Sequence, residues 1–150
     1  MKNKIIALGF AALATVACDN GTDSQDVTMH AAAGTAGDFK ANIRDRVFFD
    51  FNHSSIDATS KTTLEKQADW LKTYQATHAT VEGHCDARGT REFNLALGNK
   101  RAEAAKKALV GLGVTADRLK TISYGKDRPQ VPGDTDMAHA QNRVAVTVVE

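Results

Sequence analysis

Residues 47–51 (Val-Phe-Phe-Asp-Phe) are a short run of β-favouring side chains, closed by a polar turn over 52–57. From 58 to 77, Leu64, Ala68, Leu71 and Tyr74 recur at helical spacing, with Glu65, Lys66, Asp69 and Lys72 between them. That period predicts an amphipathic helix, with Trp70 at the edge of the core. Over 79–85 the pattern switches to alternation, with Val81, Gly83 and Cys85 on one face of a strand and Thr80, Glu82 and His84 on the other. A second long helix is predicted over 91–112, ending at Gly111 and Gly113. Residues 120–124 and 143–149 supply two more strands, the last with Val144, Val146 and Val148 on one side. Between them lies a loop punctuated by Gly125, Pro129, Pro132 and Gly133.

The order β-α-β-α-β-β predicts an α+β domain of two layers, one sheet with both helices on one face. Its crossovers are expected to be right-handed between parallel strands. The other face of the sheet is then left to solvent or a partner.

The first residues read as a targeting segment. Lys2 and Lys4 precede an apolar run of 13 residues, Ile5 to Ala17, whereas a membrane span takes about 20. Residues 1–17 are therefore assigned to a signal peptide. The run closes at Thr15-Val16-Ala17-Cys18, which resembles a lipobox whose Cys18 is acylated, although Thr15 stands where a larger aliphatic residue is usual. Stable anchoring needs more than one acyl chain. Residues 18–42 are expected to be this lipidated cysteine and a flexible tether, poor in large apolar side chains. Twenty such residues span ~25 Å on average and ~65 Å when extended. Residues 43–150 remain for one compact domain.

Without residues 1–17, 17 basic side chains face 18 acidic ones. Such a near-neutral chain argues against nucleic acid as the partner. Cys85 would be the one thiol left besides Cys18, which fits an oxidising compartment. His30, His53, His78 and His139 show no metal-ligand spacing, so no metal and no cofactor are expected.

Candidate chemistry concentrates at 83–102, where a strand end, a tight turn at 86–90 and a helix bring together Asp86, Asn94 and Arg101. Asn94, Leu97 and Arg101 share one helix face. A carboxylate beside a guanidinium suits a zwitterionic ligand with free ammonium and carboxylate groups. The bland alternative is a turn cap at Asp86 and a surface ion pair at Arg101, worth ~0–1 kcal/mol. Cys85 next to His84 suggests a thiol hydrolase, but neighbouring strand residues point to opposite faces. Cys85 is expected to be a small core filler, and the protein is expected not to be an enzyme.

The stretch Glu82-Gly83-His84-Cys85-Asp86-Ala87-Arg88-Gly89-Thr90, with Phe93-Asn94, Leu97-Gly98 and Arg101-Ala102, resembles the signature of OmpA-like peptidoglycan-binding domains. Residues 123–129 (Ser-Tyr-Gly-Lys-Asp-Arg-Pro), Asn142-Arg143 and Phe49-Asp50-Phe51 are similar to the lipid-anchored branch of that family. The resemblance implies sheet order 1-4-2-3 with the fourth strand antiparallel to its neighbours. It implies binding of the diaminopimelate stem peptide of the cell wall, with Asp86 meeting the ligand's ammonium and Arg101 its carboxylate. Phe51, Asn52, Asn94 and Leu97 would line the pocket, Asn52 standing where Asp is frequent in that branch. Loss of either charge is expected to abolish binding to sacculi with the fold intact. The resemblance further implies an outer-membrane location, the partner TolB and other Tol proteins, and roles in envelope integrity and cell division; the alternative is a generic OmpA-like lipoprotein without a Tol partner. Asp19 after Cys18 leaves inner-membrane retention open.

Overall fold

The computed structural model describes residues 31–150; Cys18, Asp19 and the signal segment lie outside them. The described elements, in chain order, are α1 (Ala36–Asn42), β1 (Arg46–Phe48), α2 (Ala58–Thr73), β2 (Ala79–His84), α3 (Arg91–Gly111), a short 3-10 turn (Ala116–Arg118), β3 (Leu119–Gly125), α4 (Asp136–Asn142) and β4 (Val144–Val149). The strands form one sheet in the order β1-β4-β2-β3. β4 runs antiparallel to β1 and β2, and β2 and β3 are parallel. This is the α+β arrangement the sequence predicts.

Strand alternation sorts the sheet into two faces. Val47, Val81, Ala145 and Val149 join Leu64, Ala68, Leu71, Ala102, Ala105 and Leu109 in the core beneath α2 and α3. On that side Thr147 donates its hydroxyl to Gln67 Oε1 (2.8 Å), and Gln67 Nε2 donates to Arg44 O (2.6 Å), so the buried polar groups are paired. The opposite face carries Phe48, Ile122 and Val148, each exposed, among charged neighbours.

α3 lies unusually close to β2 because two glycines face each other. A Cβ on Gly83 would come 1.8 Å from Gly98 O, and one on Gly98 would come 2.3 Å from Ser123 Oγ. The mid-helix glycine, costly to helix stability, is thus explained by the Ser123 hydroxyl and the Gly83 backbone packed against it.

Two helices depart from expectation. The assigned tether is not extended up to residue 42, since α1 forms within it. Thr35 caps α1 by accepting from Asp38 N, and Phe39 is buried against Trp70 at 5.0 Å between ring centroids. Asp38 Oδ2 accepts from Trp70 Nε1 and from Gly34 N, each at 2.9 Å. The domain therefore reaches back to about residue 34, because one aromatic and one carboxylate find partners on α2 that composition cannot reveal. α4 sits in the predicted loop before β4, capped by Thr135 accepting from Ala138 N.

Phe39→Ala is expected to destabilise the domain by about 3–5 kcal/mol in urea unfolding, as for a large buried aromatic. A change below ~1 kcal/mol would show that α1 is not part of the core.

Candidate functional site

The site lies at the end of the sheet where β2 gives way to the 86–90 turn and α3 begins. Thr90 caps α3 by accepting from Phe93 N, and Asn94, one turn in, donates Nδ2 to Arg88 O (2.8 Å) and Thr90 O (2.9 Å). Lys126 adds a bond to Gly89 O (2.6 Å). The backbone of the turn is thereby fixed from both sides. Asn94 is buried and serves as a clamp on this turn.

Arg101 is 1% exposed. Its Nε donates to His53 O (2.9 Å), Nη1 to His84 O (2.9 Å) and Nη2 to Asp50 O (3.1 Å). The guanidinium also lies 5.3 Å from the centroid of the Phe49 ring. Burial pushes its pKa below the ordinary arginine value, opposed by the adjacent Cys85 and Asp86. Arg101 thus ties the loop after β1 to the end of β2. That loop turns at Asn52, whose φ of 58° lies in the left-handed region that asparagine tolerates. The expectation that losing Arg101 leaves the fold intact is corrected here. Arg101→Ala would strand three carbonyls, at about 1–3 kcal/mol for each that water cannot reach.

Asp86 is 3% exposed. Its Oδ1 accepts from Arg88 N (3.1 Å) and Oδ2 from Arg88 Nη2 (2.6 Å), with Arg143 Nη1 at 3.6 Å. Burial raises the carboxyl pKa, but the side-chain and backbone bonds from Arg88 outweigh it and hold Asp86 below the usual range. The Arg88 guanidinium in turn lies 4.0 Å from the centroid of the Phe51 ring. The sequence marks Arg88 and Arg143 only as part of the family resemblance and gives neither a role in the site. Arg143 donates Nε to Phe49 O (2.9 Å) and so bridges the first loop to Asp86.

Asn52 and Leu97, with Ser54, Phe93, Ala96 and Lys100, line a cavity of about 220 Å³. Of the six residues singled out from the sequence, these two therefore line a cavity. Asp86 and Phe51 are bridged by Arg88, and Asn94 and Arg101 brace the loops from below. The arrangement holds one buried anion among guanidinium groups, and the first loop and α3 separately enclose a small hollow with Phe93 in its lining.

His84 and Cys85 diverge as alternation requires. His84 packs against Tyr124 (5.5 Å between centroids), with Nδ1 3.0 Å from Arg128 O. Cys85 Sγ donates to Asn94 O (3.3 Å), and burial pushes its thiol pKa up to about 11. That is the opposite of an activated nucleophile.

Comparison with known proteins gives the family. A family model described as the OmpA family matches residues 48–143. A peptidoglycan-associated lipoprotein of Mesorhizobium japonicum is 55% identical over 119 residues, covering 79% of this chain and 71% of the relative. The protein of that name from Brucella melitensis is 45% identical over 147 residues, covering 93% and 88%. A crystal structure of the peptidoglycan-associated lipoprotein from Burkholderia pseudomallei superposes with a TM-score of 0.69 at 39% identity, covering 71% of this chain and 91% of that one. The C-terminal domain of Helicobacter pylori MotB shares the fold, with a TM-score of 0.66 at 22% identity over 71% of this chain and 84% of that one. The chain belongs to the OmpA family. Within that family it groups with the peptidoglycan-associated lipoproteins.

The thiol of Cys85 is expected to resist alkylation by iodoacetamide at pH 8 in the folded protein and to react fully in denaturant. Rapid labelling of the native protein would show an accessible thiolate and reopen a nucleophilic role.

Proposed function

We propose that this chain is a lipid-anchored envelope protein that holds peptidoglycan without turning it over, by grasping the diaminopimelate residue of the stem peptide. The observation that carries the reading is Asp86, a nearly buried carboxylate kept ionised by the Arg88 guanidinium at the end of β2. Diaminopimelate bears an ammonium and a carboxylate on one side-chain carbon. Asp86 is the partner for the ammonium, and the guanidinium groups supply the charge that matches the carboxylate. Arg101 contributes its permanent charge from beneath while fixing both loops. Asn52 and Leu97 line the hollow itself, and Phe51 with Asn94 holds the charged turn in place.

Binding rather than catalysis is supported by the raised thiol of Cys85 and its engagement with Asn94 O. The relatives' shared name and the lipobox-like residues 15–18 support lipid anchoring through Cys18, which this reading places in the outer membrane. In this reading the anchored domain links that membrane to the wall, with TolB of the Tol system as a protein partner and a part in envelope integrity and cell division.

Asp86→Ala is expected to lower co-sedimentation with diaminopimelate-containing sacculi about tenfold or more, the scale of a lost charge-assisted contact. Its melting temperature is read alongside to separate binding from folding. A folded variant that pellets as well as the unaltered protein would exclude this site.

A further inference from the structure

Arg88 stands apart from the other guanidinium groups of the site. Arg101 is buried, with a bond to a backbone carbonyl from each of its three nitrogens. Arg143 is committed through Nε to Phe49 O. The Arg88 side chain is instead 40% exposed, resting on the Phe51 ring with Nη2 on Asp86 Oδ2. Its backbone is pinned by Asn94 through the carbonyl and by Asp86 through the N–H, so the side chain can swing while the turn stays put.

We propose that Arg88 is a specificity-determining residue: it occupies the ammonium place on Asp86 in the empty site and moves to the ligand's carboxylate when the ligand's ammonium takes that place. This deepens, and rests on, the reading of the site as a diaminopimelate receptor. A ligand with both groups exchanges one ion pair for two. A lysine side chain, with an ammonium alone, displaces the guanidinium from Asp86 and offers it nothing in return. Discrimination between the two wall chemistries then resides in an exposed residue able to change partners. The exposed Phe51 ring is the platform from which the guanidinium moves, and its face favours a cation resting there.

The test measures the affinities of the full chain and of Arg88→Gln for two soluble stem peptides, identical except for diaminopimelate or lysine at the third position. The preference for diaminopimelate is expected to fall about fivefold or more in Arg88→Gln, chiefly because the lysine peptide binds better once Asp86 has no internal competitor. An unchanged preference would overturn the proposal. Asp86→Ala run in parallel keeps the two claims apart. If it binds the diaminopimelate peptide normally, the receptor reading itself fails; if it loses binding while Arg88→Gln keeps its preference, only the role of Arg88 fails.

Discussion

Arg101 carries a charge into the interior, and backbone carbonyls are its closest partners there. Burying a guanidinium is expensive unless its donors are satisfied, and here satisfaction requires three carbonyls from two separate segments to converge on one point of α3. The convergence sets much of the local architecture. The loop after β1 must return to the sheet end at residues 50 and 53, β2 must stop at His84, and α3 must approach closely enough to reach both. The last condition is met by Gly83 and Gly98, whose missing side chains let the helix backbone lie against the strand.

The site's electrostatics are set one step further on. Asp86 leaves the end of β2 nearly buried, and the bonds it accepts from Arg88 keep its carboxylate ionised. The same carboxylate organises the turn beyond it by accepting from Arg88 N. One anion therefore caps the turn, and in the function proposed here it is also the recognition group. Under that proposal a small double-ended ligand enters by exchanging ion pairs rather than by creating isolated charges in a dry pocket, which lowers the cost of desolvation.

Much of this was legible in the chain. Alternation over 79–85 and the helical period over 91–112 placed Asp86, Asn94 and Arg101 on adjoining elements, and the glycines after α3 marked its end. The division of labour among those side chains was not legible. Spacing places Arg101 on the same face as Asn94 and Leu97, but only tertiary contacts reveal that each of its three nitrogens donates to a carbonyl, those of Asp50, His53 and His84. Arg88 and Arg143 were visible as marks of the family resemblance but were given no role in the site, because a lone arginine beside a strand or in a turn reads as surface charge. α1 was missed for a related reason. Its seven residues hold a single large apolar side chain, and the helix gains its stability from Trp70, distant in sequence. α4 did carry a local signal, Thr135 followed by Asp136, but the surrounding prolines and glycines outweighed it.

The most direct test is a backbone-amide NMR titration of the labelled protein with a soluble diaminopimelate-containing muropeptide. The account predicts saturable shifts concentrated at residues 51–54, 85–90 and 93–97, where the two loops and the start of α3 meet. Shifts confined to the open sheet face around Phe48, Ile122 and Val148, or no saturable shifts at all, would contradict it.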